Sequence, residues 1–212
     1  MFKEASYQQA QALYDGGNYT VARVLFQNLA DYSDSADRAQ ACTYQEGKAL
    51  YDAGDYAGAV AALAPLGEYE DAAQLVKQAN YAMAEAKLTE GQDEEAGRLF
   101  LAAGDYSDAV ARGNDCIYQA ALAAKETGDY DKATELFTLI IGYLDSEGQI
   151  QDCLYQQAVA LRDSGDYAGA LKASLRLDKL IALAQREQAV ETQMLQERAQ
   201  REKARKPAGY LA

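Results

Sequence analysis

The chain has 212 residues, of which 49% are hydrophobic and 25% are charged, with only two prolines. This composition is typical of a folded protein with a sizeable core. No apolar run approaches the roughly 18–20 residues that cross a bilayer. The first residues lack the apolar stretch of a secretory signal, and three cysteines do not indicate a disulfide scaffold. We therefore expect no membrane insertion. We expect a cytoplasmic protein, or a soluble region of a longer one, because Met1 begins inside the first predicted helix.

Charge is distributed unevenly along the chain. Residues 1–171 carry 11 Lys and Arg against 28 Asp and Glu, whereas residues 172–212 carry 9 against 5. An acidic body of net charge −17 repels phosphate backbones. The sequence therefore predicts no nucleic-acid binding, disfavours single-stranded RNA in particular, and favours basic proteins or peptides as partners.

A 37-residue repeat runs through most of the chain. It is marked by the glycines Gly17, Gly54, Gly91, Gly128 and Gly165, by the alanines Ala22, Ala59, Ala96, Ala133 and Ala170, and by a tyrosine ten places before each glycine. Each unit is predicted to form two antiparallel helices. The first begins at a Tyr-x-Asp-Ser/Ala element and runs for about 18 residues of good helix formers. The expected N-caps are Asp34, Asp71, Asp108 and Asp145.

The repeated glycine is predicted to end the first helix, because glycine adopts positive φ without steric cost. The next residue then caps the short second helix in four units, as Asn18, Asp55, Asp129 or Asp166. In the third unit, GQDEEA replaces GDYxxA, so that helix lacks an aromatic anchor. Pro65 should end the second unit's returning helix near Ala64.

These elements predict an all-α protein of about five antiparallel helix pairs plus a long C-terminal helix. The predicted repeat domain covers residues 1–178, with units at about 1–33, 34–70, 71–107, 108–144 and 145–178. A capping or projecting helix follows at residues 179–206, because this stretch has no Gly or Pro before Pro207. Residues 207–212 are predicted to be a disordered tail.

The repeat resembles the tetratricopeptide repeat. The resemblance lies in the stretch Gly-x-Tyr-x-x-Ala-x-x-x-aromatic, present as Gly17/Tyr19/Ala22/Phe26 and as Gly128/Tyr130/Ala133/Phe137. It covers residues 1 to about 177, with a period of 37 rather than the usual ~34. The resemblance implies a right-handed α-solenoid whose first helices line a concave groove that holds a peptide or protein segment.

Partner-binding candidates follow from that resemblance, which places one tyrosine column on the groove side of the first helices. The column is Tyr7, Tyr44, Tyr81, Tyr118 and Tyr155, accompanied by Gln8, Gln45, Gln119 and Gln156. One interpretation is a ladder of aromatic surfaces for a bound segment. The other is that the rings pack between neighbouring helices, where each burial contributes roughly 1.5–3 kcal/mol.

No catalytic or metal-binding pattern is present in the sequence. The chain has no histidine, the commonest catalytic base. Cys42, Cys116 and Cys153 occupy one repeat position that is Ala5 or Ala79 in other units, which is typical of a small packing site. We therefore expect no metal, no cofactor and no enzymatic activity. The predicted function is a protein-binding scaffold. The alternative is a structural or oligomerisation module that uses the C-terminal helix, and the sequence leaves the oligomeric state open.

Overall fold

The computed structural model describes residues 2–205, and all regular secondary structure in that range is helical. The helices are α1 Phe2–Asp15, α2 Tyr19–Leu29, α3 Ser35–Asp52, α4 Tyr56–Leu63, α5 Ala72–Thr89, α6 Asp93–Ala103, α7 Ala109–Glu126, α8 Tyr130–Leu139, α9 Ser146–Asp163 and α10 Tyr167–Arg205. A 3₁₀ turn at Ala64–Leu66 follows α4, so Pro65 ends that helix where the sequence predicted. The all-helical fold predicted from the sequence is confirmed.

The helices alternate in length with the period of the sequence repeat. α3, α5, α7 and α9 have 18 residues each, and their last residues stand at 52, 89, 126 and 163, in steps of 37. The chain divides into two compact parts, residues 1–119 and 120–212. In the first part each helix from α1 to α5 packs on the next one along the chain, and in the second part α9 packs on both α8 and α10. Short joints between packed neighbours make the members of each pair antiparallel.

The glycine turns follow the predicted geometry. The repeated glycine has a φ of +78 to +88° in four units and +73° in the third. At Gly54 the turn is closed by two backbone hydrogen bonds of 2.9 Å, from Gly54 N to Tyr51 O and from Asp55 N to Leu50 O. This is the Schellman pattern, which satisfies the last carbonyls of the helix. The Asp55 carboxylate then accepts from the Gly58 amide at 2.9 Å and caps α4. The caps predicted at Asn18, Asp129 and Asp166 form in the same way.

Small and aromatic residues build the core between paired helices. The repeated alanine of the second helix is fully buried in the first four units, which lets the two backbones approach closely. About one helical turn after this alanine, the aromatic residues Phe26, Phe100 and Phe137 are completely buried. Ala133 and Phe137 of α8 and Ile140 just after it are buried, as expected for a face with helical periodicity.

The N-caps predicted for the first helices are wrong in one respect. Asp34, Asp71 and Asp145 stand at the N-cap position, but their side chains make no capping hydrogen bond. Their backbone conformations, with φ near −100° and ψ near +20 to +27°, lie outside the extended region from which a cap side chain reaches the first-turn amides. The residue before each aspartate has positive φ, at Ser33, Glu70, Ser107 and Leu144. The carboxylates are therefore directed elsewhere.

The fifth unit also departs from the predicted layout. Its second helix does not stop after about three turns but continues without interruption as α10 from Tyr167 to Arg205. No Gly or Pro between 170 and 205 breaks the helix, so the end of the fifth unit and the predicted C-terminal helix are one element. The expected stop at Pro207 and the tail at 207–212 lie outside the described residues. The boundary at residue 178 stays a prediction.

Candidate interaction surfaces

Three tyrosines of the predicted column are bonded to the next repeat unit. The Tyr7 hydroxyl donates to Asp34, the Tyr44 hydroxyl to Asp71 at 2.5 Å, and the Tyr81 hydroxyl to Asp108 at 2.7 Å. In each case donor and acceptor are 27 residues apart. Asp34 and Asp71 therefore hold the preceding unit's tyrosine instead of capping their own helix, and Asp108 holds Tyr81.

The rings of these tyrosines pack against aromatic neighbours. Tyr44 meets Tyr69 edge to face with ring centroids 5.6 Å apart, and Tyr81 meets Phe100 at 5.1 Å. Such edge-to-face pairs stabilise beyond the area they bury. Arg112 lies over the Phe100 ring at 4.4 Å and donates to the Tyr81 hydroxyl at 2.7 Å. Tyr44 is only 9% exposed. Little of the Tyr44 ring is therefore available to a ligand, whereas Tyr7 and Tyr81 are half-buried.

The same contacts shift the ionisation of Tyr7 and Tyr44. Donation to the Asp71 carboxylate, reinforced by burial, raises the pKa of Tyr44 to about 12. Donation to Asp34 likewise raises the pKa of Tyr7, and the same hydrogen bond lowers the pKa of Asp34. Each hydrogen bond favours the neutral phenol and the charged carboxylate. The Tyr7–Asp34 bond therefore joins a neutral donor to a charged acceptor over a wide pH range.

The other members of the predicted site have different surroundings. Tyr118 is half-buried, whereas Tyr155 is 56% exposed. An aspartate that accepts from Tyr155 at the same separation of 27 residues would be residue 182, which is alanine. Gln8 and Gln119 are exposed, and Gln45 and Gln156 are half-buried. The predicted binding residues thus include packed rings in the first three units and accessible groups at Gln8, Gln119 and Tyr155.

A shallow cleft of about 330 Å³ lies on the face of α1 that carries the predicted site. Tyr7 and Gln8 line it together with Glu4, Gln11 and Asp15. Gln8 donates to Glu4 and Gln11 donates to Asp15, both at 3.0 Å. The charged groups of this cleft are carboxylates, so it suits a cationic or hydrogen-bond-donating group.

The acidic position of this cleft recurs along the chain, which the sequence analysis missed. Residues in step with Asp15 are Asp52, Thr89, Glu126 and Asp163, and the four acids are all exposed. The signal was present in the sequence, because these acids share the 37-residue period. They also stand in the last turn of a helix, where the helix dipole disfavours negative charge. A role in capping or helix stability does not explain them.

A second cleft, of about 490 Å³, lies beside the start of α2 and was not anticipated. Its lining includes Arg23 and Glu46, whose Nε and Oε2 atoms form an ion pair at 3.1 Å. The other carboxylate oxygen, Oε1 of Glu46, is buried and has no hydrogen-bond partner within residues 2–205. In the following units the two positions hold Val60 and Met83, so only the first pair of units carries this charge pair.

The cysteines lie in the small packing position that the sequence predicted. Cys42, Cys116 and Cys153 are free and buried. Burial, followed by the nearby Glu46 charge, raises the pKa of Cys42 to about 11. A thiol with a raised pKa is a poor nucleophile at neutral pH. Within the described part of the chain no three Cys, Asp or Glu side chains are grouped so that they could hold a metal ion.

Apolar side chains are exposed along α10. Leu171 is 61% exposed, Leu175 is 50% exposed, and Val190, Met194 and Leu195 are also accessible. Even so, across residues 2–205 we find no helix that combines the length and the apolar character of a membrane span.

Comparison with known proteins gives similarity only among solved structures. No family model and no curated protein matches the chain. The chain is similar to BtubC (BKLC) from P. vanneervenii, with 14% identity over 83% of this chain and 78% of that one, at a TM-score of 0.23. It is also similar to the nearly identical TPR-like repeats of a Podosopora anserina putative kinesin light chain, with 17% identity over 86% and 96% of the two chains, at a TM-score of 0.20. At these TM-scores neither structure guides the description of this fold, which follows from its own helices.

Proposed function

We propose that this protein is a non-enzymatic interaction scaffold that binds a basic peptide or protein segment on the exposed face of its first helices. In the family that the repeat resembles, this face is the concave groove. The observation that carries the proposal is the recurring pattern of exposed carboxylates and glutamines on this face, seen at its fullest in the cleft of Glu4, Gln8, Gln11 and Asp15.

Charge supports a basic partner. A net charge of −17 over residues 1–171 attracts cations from a distance and raises their association rate. The tyrosines contribute differently from a simple aromatic ladder. In the first three units their hydroxyls are engaged by aspartates, so they hold the helices that present the acids and amides.

A binding assay with the full chain tests this proposal. Peptides selected from a random display library on the full chain should be enriched in Lys and Arg. Their binding should fall with added salt and weaken at least about tenfold in the triple variant Gln8→Ala, Gln11→Ala, Asp15→Asn. The matched control is Thr20→Ala, Gln27→Ala, Asp31→Asn, which changes the same number of residues and the same charge outside this cleft. Equal loss in both variants, or selection of acidic peptides, would contradict the proposal.

A second candidate, an oligomerisation module, is favoured by one observation. Val190, Met194 and Leu195 are exposed on the part of α10 that extends beyond the fifth unit. If this helix makes a self-contact, sedimentation should show a dimer or larger species that Met194→Glu converts to monomer. A monomer at all concentrations would eliminate this candidate.

A further inference from the structure

The last repeat unit presents an interface that the interior units bury. We propose that the end face, defined as Tyr155, Ala168, Leu171, Leu175 and Ala182, binds an acidic amphipathic helix of another protein that carries an aspartate at its N-terminus. The proposal rests on the scaffold function only in requiring a protein partner, and it concerns a different surface from the α1 cleft.

The contact between α6 and α7 is an interior seam, where the second helix of one unit meets the first helix of the next unit. In α6 the residues at this seam are Gly97 and Leu101. A Cβ on Gly97 would lie within 3.0 Å of Ile117 in α7, and a Cβ on Gly113 would lie within 2.9 Å of the Leu101 side chain. Close contact at both positions means that this side of a second helix is a docking surface for a helix.

The same two positions of the fifth unit are Leu171 and Leu175, two repeats later. Both are half or more exposed, and Ala168 and Ala182 beside them on α10 are exposed as well. Ala168, Leu171 and Leu175 form an exposed aliphatic strip at an interior-type seam, and Asp178 separates this strip from Ala182. Within residues 2–205 no helix covers it, because α10 continues along its own axis.

The hydroxyl of Tyr155 supplies the second feature of the occupant. In the first three units the same hydroxyl donates to an aspartate at the start of the next first helix. Tyr155 has no hydrogen-bond partner among the described residues, and the ring is exposed. A helix docked in the repeat register would place its N-terminal residue at this hydroxyl, and a carboxylate there would complete the bond.

Charge and shape decide between a separate protein and a second copy of this chain. Three exposed cations and one exposed carboxylate border the end face on α10, namely Lys172, Lys179, Arg186 and Asp178, so the balance of charge favours an acidic helix. The α1 helix of a second copy fits poorly. Phe2 stands where α7 has Gly113, so its ring would meet Leu175 where the interior seam has a glycine.

A peptide of this chain's own second unit serves as the probe. The peptide covers residues 32–53 and carries Cys42→Ala to prevent oxidation. It contains Asp34 as the acceptor for Tyr155. Docked in the repeat register, it places Ala39 against Leu175 and Thr43 against Leu171, where small neighbours are needed. We expect saturable binding to the full chain. Tyr155→Phe should weaken it about tenfold, as should Asp34→Ala in the peptide. Both changes together should weaken it little more than either alone, since they remove one bond.

Control variants distinguish the end face from other binding sites. Leu171→Glu with Leu175→Glu should abolish binding, whereas Ile141→Glu, another exposed apolar residue, should leave it unchanged. Binding that survives the Leu171/Leu175 variant, additive effects of Tyr155 and Asp34, or no binding of the peptide would overturn the proposal. A concentration-dependent dimer that the Leu171/Leu175 variant dissociates would assign the surface to a second copy instead. The α1 triple variant should still bind this peptide, which separates failure of this proposal from failure of the scaffold function.

Discussion

Tyr44 and Tyr155 occupy the same position in two repeat units, yet their surroundings are opposite. Tyr44 is 9% exposed, meets Tyr69 edge to face and donates to Asp71. Tyr155 is 56% exposed, and residue 182, where its acceptor would stand, is alanine. The two helices that carry them have the same length and end in the same glycine turn. The difference therefore comes from the following unit, not from the helix itself.

The largest expected effect is on stability. Tyr44→Ala should lower the free energy of unfolding by about 3 kcal/mol or more, because it removes a buried ring and leaves a cavity. Tyr155→Ala should cost no more than about 0.5 kcal/mol, as for a surface residue. Urea denaturation of both variants measures the difference. Equal losses would mean that the two tyrosines have the same role.

Alkaline pH should reduce the contribution of Tyr44 to the stability of the folded chain. The pKa of Tyr44 is raised from 10.0 to about 12 in the folded chain, so the folded state holds this proton more tightly than the unfolded state. Its contribution to stability is complete below pH 10 and is lost as the pH rises from 10 to about 12. Wild type should lose more stability across this window than Tyr44→Phe, which has no phenol to ionise at this position. Chemical denaturation at several pH values tests this, and parallel curves for Tyr44→Phe and wild type would contradict it.

The turns should respond alike, because their geometry is local. Gly54 and Gly165 have φ of +81° and +88°. Replacing either with alanine should cost about 1 kcal/mol through backbone strain. Gly148 is the control, because it lies within α9 and has no positive φ. A Cβ added there would meet no atom within 4 Å, so Gly148→Ala should not destabilise the protein. A large difference between the Gly54 and Gly165 variants in urea melts would show that the turn strain depends on the neighbouring unit.

The joint between the first two units should show the smallest effect. Ala30 has φ +53° and ψ −115°, whereas the same position in the next two units is Gly67 or Gly104 with nearly identical angles. Alanine is strained there. Ala30→Gly should therefore raise the free energy of unfolding by about 0.5–1 kcal/mol. This sign is opposite to the usual one, since a substitution to glycine normally destabilises a protein. Thermal unfolding measures the shift, and a lower melting temperature would refute the assignment of strain.

Local chemistry explains which features the sequence predicted. The turn at Gly54–Asp55 depends on residues within one helical turn, so the stop, the cap and the return were all predictable. The function of Asp34 was not, because its partner Tyr7 lies 27 residues earlier and an aspartate before a helix is usually a cap. The constant separation of the repeating Tyr and Asp was the available signal. Positive φ at Glu70 and Leu144 had no signal in residue type, since the tight joint imposes it.

At the candidate site the sequence predicted residues but not their environment. The column positions were evident from the repeat, whereas the burial of Tyr44 and the exposure of Tyr155 depend on neighbours that the column itself does not contain. The charge pair of Arg23 and Glu46 was also missed. This pair occurs once and so departs from the repeat, whereas periodicity reveals only positions that recur.

We infer that the first-helix tyrosines of the first three units, Tyr7, Tyr44 and Tyr81, are each fixed by the aspartate of the next unit. A double-mutant cycle of Tyr44→Phe and Asp71→Asn, followed by urea denaturation, tests it most directly. We expect a coupling energy of about 1–2 kcal/mol, because both variants remove one bond between a phenol and a charged acceptor. Effects that add within about 0.3 kcal/mol would show that the two residues act independently and would contradict it.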